Sequence, residues 1–256
     1  MKKMIFAAAL VAALIPFAVA QDNNRLPQAS LDREVDVRVP AVPGTPAVLG
    51  NPRHVAPAPP TYCKPCLFYA GDFDSNASDA NGLANEVDVI VSSGAAVYAP
   101  FIVKGTWKVS GLFTDNFASL STLDPATSPY EVRKGIPAAG GSGGKLVCHG
   151  KSKSTNTDTG LNDFGYEVYA TKVHVAKCTL KAGKYWESVV PYCTGSECGS
   201  YRAFEANDDG AMNHKFGTAE PANNSFFNSV YFGATFQPSS QQQSSSRFSD
   251  GVIGTK

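Results

Sequence analysis

The chain is poor in the residues and runs on which most catalytic and nucleic-acid motifs depend. Only four of its 256 residues are histidine, and no two stand at metal-ligand spacing. His54 lies in a proline-rich stretch, His149 follows Cys148, His174 sits between Val173 and Val175, and His214 lies in a polar loop. Each reads as a surface or hydrogen-bonded histidine. Lys plus Arg and Asp plus Glu balance at 22 each, with no basic run. That balance excludes the electrostatic footprint expected of a protein that binds nucleic acid or an anionic membrane. Beyond the first twenty residues no apolar run approaches the ~20 residues of a membrane helix. No amphipathic run of helical period is evident there either.

Two motif matches fail on context. Gly140-Gly-Ser-Gly-Gly144 has the form G-x-S-x-G, but a nucleophile elbow needs a strand before the serine and a helix after it. Here Ile136-Pro-Ala-Ala precedes and the strand-like Lys-Leu-Val-Cys follows, so the stretch reads as a flexible loop. It is no phosphate loop either, because Ala139 replaces the first glycine and Leu146 the Ser or Thr.

What is present begins with an address. Met-Lys-Lys, an apolar run from Met4 to Ile15 and Ala18-Val19-Ala20 before Gln21 make residues 1–20 a secretory signal peptide. Its removal takes two lysines and no acid, which leaves 20 basic and 22 acidic residues and a formal charge of −2. Residues 21–61 form a linker, with eight prolines between 21 and 60; polyproline II and plain disorder both suit that composition. An exported chain with six cysteines implies three disulfides. Spacing alone does not choose among the 15 pairings. Cys63–Cys66, Cys148–Cys178 and Cys193–Cys198 rank first, the outer two as short local closures and the middle pair as strand neighbours.

The folded part spans residues 62–237. It consists of short strand-like runs separated by Gly, Asn, Asp, Ser and Pro clusters, which predicts an all-β, antiparallel sandwich in a single domain. The organising stretch runs from Ala95 to Phe113, where two apolar runs flank a Lys104-Gly105-Thr106 turn. In the second run Trp107, Val109 and Gly111 face one way, and Lys108, Ser110 and Leu112 the other. Further strands are expected at Leu67–Ala70, Val87–Val91, Tyr130–Lys134, Lys145–His149, Tyr166–Ala176, Lys184–Tyr192, Tyr201–Phe204 and Phe226–Gln237. Residues 238–256, opening Pro-Ser-Ser-Gln-Gln-Gln, read as a polar disordered tail.

Several stretches together carry a family likeness. They include Asp79–Glu86, Trp107–Leu112, Tyr130–Gly135, Gly143–Leu146, Tyr166–Tyr169, Leu180–Trp186 and Phe226–Phe236. As a set the chain resembles the jelly-roll-like β-sandwich domains of exported bacterial proteins of the choice-of-anchor, exosortase-sorted type. The resemblance implies a jelly-roll-like sandwich and no catalytic residues. No sorting motif or apolar anchor follows Phe236.

The remaining chemistry is sparse. Cys63-Lys-Pro-Cys66 matches the C-x-x-C redox pattern, but Leu-Phe-Tyr-Ala-Gly follows instead of a helix, which favours a structural disulfide. Asp72, Asp74, Asn76, Asp79 and Glu86 place oxygen ligands in one loop and make calcium the candidate cofactor. Ala77 and Leu83 occupy the positions of the glycine and closing glutamate of an EF-hand, so the loop is not one. Tyr192 and Tyr201 flank the Cys193–Cys198 loop and are the candidate ligand platform, whereas Trp107 and Trp186 read as core. The expected function is therefore a secreted, non-catalytic protein that binds a carbohydrate or cell-surface ligand. Its rivals are an extracellular matrix component and a hydrolase of an extracellular polymer.

Overall fold

A computed structural model describes residues 59–73, 82–88, 93–118, 123–124, 127–163, 166–193, 204–206, 215–218, 224–229, 235–241 and 247–256. They all lie in one compact unit, Ala41–Lys256. In chain order the strands are β1 (Cys66–Tyr69), β2 (Gly82–Ala84), β3 (Glu86–Asp88), β4 (Ser93–Ala118), β5 (Leu123–Asp124), β6 (Ser128–Lys134) and β7 (Lys145–Ser152). They continue as β8 (Ser154–Asp163), β9 (Tyr166–Val189), β10 (Tyr192–Cys193), β11 (Phe204–Ala206), β12 (Phe226–Ser229), β13 (Gln237–Pro238) and β14 (Asp250–Thr255). The fold is all-β, as the alternation predicts, and every pairing is antiparallel except β3 with β10. Residues 1–58, which hold the expected signal peptide and most of the expected linker, lie outside the described residues.

Two long strands carry the rest. β4 and β9 pair from Ala99↔Glu187 to Ala118↔Glu167. Lys104-Gly105-Thr106 is therefore no turn between two strands. Val103 faces Gly183 and Thr106 faces Lys181, so Lys104 and Gly105 bulge out of a continuous strand, with Gly105 at φ 93°. Bulge and turn draw on the same residues, since both need a positive φ that glycine accepts. The expected Tyr166–Ala176 and Lys184–Tyr192 strands likewise merge into β9, except that Tyr192 falls in β10.

A second irregularity overturns the expected facing of Leu112. Val109 faces Cys178 and Gly111 faces His174, so Ser110 opposes three residues that include Lys177 at φ 56°. Both strands change parity here. Trp107 and Val109 share the main core with Leu112, and Val173 and Val175 share it with Cys178 and Leu180.

The ribbon is bent over on itself. The Asn85 side chain accepts from the Val97 amide at 3.3 Å and donates to Asn116 Oδ1 at 3.0 Å. Those partners stand nineteen residues apart on β4, which a straight strand would separate by roughly 60 Å. The Cys148–Cys178 disulfide closes the same fold from another side. Cys148 pairs with Val132, which pairs with Glu187, yet its Cα lies 5.8 Å from that of Cys178. The space enclosed holds Phe68, Phe101, Trp107, Leu112, Val132, Leu180, Tyr185 and Val252, all buried.

Residues 250–255, expected within a polar disordered tail, fold into the sheet. β14 lies between β1 and β4, pairing Val252 with both Phe68 and Leu112. Val252 is fully buried, and Phe248 and Ile253 are buried too. The Ser/Gln run masks a short return segment, Asp-Gly-Val-Ile-Gly-Thr, which is too brief for periodicity to announce. β8 was not expected either. Its sequence, Ser-Thr-Asn-Thr-Asp-Thr-Gly-Leu-Asn-Asp, is polar because it is an edge strand bonded only to β9. The terminal strand expected over Phe226–Gln237 is described as β12 and β13, which pair with each other; residues 230–234 lie outside the described residues.

Candidate functional site

The site grows out of a fork between the two long strands. Past Ala99↔Glu187 the β4–β9 ladder would next join Val97 to Val189. Asn85 takes that place instead: its Oδ1 accepts from Val97 N, and its Nδ2 donates to Val189 O at 2.9 Å. The amide thus stands in for two backbone partners, so the Val97 amide and the Val189 carbonyl are both satisfied where the strands part. β3 then runs into the gap, pairing antiparallel with β4 and parallel with β10, the continuation of β9. Thr114 Oγ1 also donates to Val189 O at 2.9 Å, and Asn116 Nδ2 donates to Thr114 O at 2.9 Å.

A groove of about 260 Å³ lies at this fork, lined by Val87, Gly94, Ala95, Ala96, Tyr98, Pro129, Tyr130, Glu131, Ser188, Val190 and Asn228. Small residues at 94–96 leave the space open. Glu131 and Ser188 are register partners across β6 and β9 and line the same groove. The Glu131 carboxylate is placed by two donors. Tyr98 OH donates to its Oε2 at 2.9 Å and Arg133 Nε to the same oxygen at 2.5 Å. Its side chain stays 29% exposed, which leaves it accessible to a ligand. Ser188 is 1% exposed, and its hydroxyl has no hydrogen-bond partner among the described residues.

Arg133 is held in turn. Its Nη1 donates to Gly143 O at 3.1 Å, and its guanidinium lies 4.9 Å from the Phe236 ring centre and 5.7 Å from that of Tyr98. The Gly140–Gly144 segment is a loop, as expected. Gly140 sits at φ 78° with Gly141 bridged to Phe236, and a Cβ at Gly143 would stand 2.4 Å from the Phe236 ring. The glycines let the loop lie flat on the ring that supports Arg133.

A second polar cluster lies under the Cys63–Cys66 turn. Tyr69 OH donates at 2.8 Å to Asp72 Oδ1 and is within 2.8 Å of Asp115 Oδ2, which also accepts from Ser249 Oγ at 2.6 Å. Tyr62 OH approaches the same oxygen at 3.4 Å. Burial pushes the Asp115 carboxyl up to about 7, against the lowering effect of the Ser249 and Tyr69 hydroxyls. Burial also holds Asp250 well above the usual carboxylate range; Glu187 is its carboxyl hydrogen-bond partner, and the Asp115 charge adds to the rise.

The expected site residues divide between described and undescribed segments. Disulfides Cys63–Cys66 and Cys148–Cys178 are formed, while Cys198 lies outside the described residues, as does the side chain of Cys193. Tyr192 stands half-buried in β10 with Lys151 Nζ 5.8 Å from its ring centre, and Tyr201 lies outside the described residues. Of the expected calcium ligands, Asp72 takes the Tyr69 hydroxyl and Glu86 is buried in β3 opposite Ala95. Asp74, Asn76 and Asp79 lie outside the described residues. Among the described residues no three His, Cys, Asp or Glu side chains come together as a metal site. Trp107 and Trp186 are core, in separate clusters. His149 and His174 are exposed.

Glu131, Ser188 and Asn85 were not singled out by sequence. Glu131 had a signal, since Tyr130 and Val132 alternate with Glu131 and Arg133, which puts the charges on the outer face. Ser188 and Asn85 had none, because their roles exist only once the strands split. No protein family matches this chain, and no curated protein matches it either.

Proposed function

We propose that this is an exported, non-catalytic binding protein that takes a hydroxyl-rich ligand, one sugar unit of a carbohydrate, in the groove at the strand fork. The observation that carries the reading is the Glu131–Ser188 pair: an accessible carboxylate braced by Arg133 and Tyr98, directly across from a buried hydroxyl that lacks a partner among the described residues. A carboxylate that accepts and a hydroxyl that donates or accepts suit vicinal sugar hydroxyls. Val87, Ala95, Ala96 and Val190 supply the apolar wall. Among the described lining residues Glu131 is the one carboxylate, whereas glycoside hydrolysis uses two. The two disulfides support an oxidising compartment outside the cytoplasm. The resemblance to exported jelly-roll-like domains fits the same reading.

The test is a glycan array followed by calorimetry on the ligands found. Hydrogen bonds to charged groups contribute about 1.5–3 kcal/mol, so Glu131→Gln should weaken binding by at least tenfold. Ala96→Phe, which fills the groove, should abolish it while leaving the melting temperature within a few degrees. Wild-type affinity in both variants would move the site elsewhere, and no glycan bound at all would reject the carbohydrate reading.

A further inference from the structure

The bent end of the β4–β9 ribbon is strongly cationic although the chain as a whole is neutral. Pro100–Val109, Val132–Lys151 and Ala170–Trp186 together hold ten Lys and Arg and no Asp or Glu, in a chain with 22 of each sign. The register brings five of these lysines to one end of four adjacent strands. Lys134 and Lys145 face each other directly across β6 and β7. Lys134 Nζ lies 5.3 Å from the Tyr185 ring centre on β9 and beside Gly183. Lys184 opposes Ile102, Lys181 opposes Thr106, and Lys104 projects from the bulge between them. Lys104, Lys134, Lys145 and Lys181 are exposed, and none has an ion-pair partner among the described residues. Like charges placed directly opposite in a sheet are destabilising, so the Lys134–Lys145 pair weakens the sheet unless something anionic sits over it.

We propose that this lysine end docks an anionic polysaccharide, one carrying a carboxylate on each sugar unit. Neighbouring strands lie about 5 Å apart, so the opposed Lys134 and Lys145 stand at an interval comparable to a sugar residue. Lysine offers a mobile point charge rather than a bidentate fork, which suits a flexible chain of carboxylates. An anionic lipid surface is disfavoured, because the patch presents no exposed large apolar side chain for insertion. Among the described residues that property belongs to Phe216 alone, outside these segments. The surface does not depend on the groove at the fork, and it acts through charge alone.

The experiment uses the full chain and immobilised polygalacturonate, with neutral dextran and phosphatidylglycerol–phosphatidylcholine vesicles as comparisons. Wild type should be retained on polygalacturonate and not on dextran, with affinity falling steeply as salt rises. Exposed ion pairs are individually weak, and several acting on one chain add up. Replacing Lys104, Lys134, Lys145 and Lys181 together with Gln should therefore weaken retention by on the order of tenfold or more. A charge-matched control with Gln at Lys64, Lys153, Lys215 and Lys256 should bind as wild type does. The proposal is overturned by no retention of wild type, by equal losses in the two quadruple variants, or by preference for the vesicles over the polysaccharide.

Discussion

At the residue scale the structure places acids where water does not reach them, and this sets a pH dependence. The Asp115 carboxyl titrates near 7 in the folded protein because it is buried, against about 3.9 in an unfolded chain. The folded state therefore holds the extra proton between these values, and stability falls as pH rises from about 4 to about 7. Asp250 is raised as well and contributes in the same direction. The melting temperature of wild type should drop by several degrees between pH 5 and pH 7.5. Asp115→Asn should flatten part of that slope, and a slope identical to wild type would contradict the burial argument. Asn85 is the other residue of consequence. Asn85→Ala strands the Val97 amide and the Asn116 carbonyl oxygen and takes one donor from Val189 O. A buried group left without its partner costs about 1–3 kcal/mol, so chemical denaturation should show a loss of a few kcal/mol.

At the scale of elements the decisive strand is β14. It completes the sheet between β1 and β4 and puts Val252, fully buried, into the main core beside Phe68 and Leu112. Cutting back a buried aliphatic side chain costs roughly 1–3 kcal/mol. Val252→Ala should lower the melting temperature by about 3–8 °C for a domain of this size. A polar tail would tolerate the change without any shift, so one thermal melt distinguishes the two. The bulges act at the same scale. Because the Ser110 irregularity in β4 faces the one at Lys177 in β9, both strands turn over together and one continuous face stays apolar.

At the scale of the whole molecule a crosslink holds the bent sheet closed. Cys148–Cys178 closes a loop of 30 residues, for which loop-closure entropy gives about 3–4 kcal/mol. Cys63–Cys66 spans a separation of 3 and should contribute much less. Replacing Cys148 and Cys178 with Ala should lower the urea midpoint substantially, and the same replacement at Cys63 and Cys66 only slightly. Equal effects would mean that the crosslink does not act by restricting the unfolded chain.

From the sequence alone came the all-β class, most strand positions, two disulfide pairings and the burial of both tryptophans. These are local matters: alternation reports which face of a strand is wet, and a Cys-x-x-Cys spacing can close on itself; Cys148 and Cys178 rank together because the short closures leave them over. Tertiary structure decided the rest. Whether Lys104-Gly105 turns or bulges depends on the partner strand, since the backbone angles a glycine offers serve either. Asp250–Thr255 becomes a strand because β1 and β4 leave an edge for it, not because its six residues carry a pattern. The Glu131–Ser188 groove exists because β3 parts two strands that are otherwise paired. A net charge near zero hid a cationic end for the same reason: summation over a chain discards position, and only the register of four strands brings those lysines together.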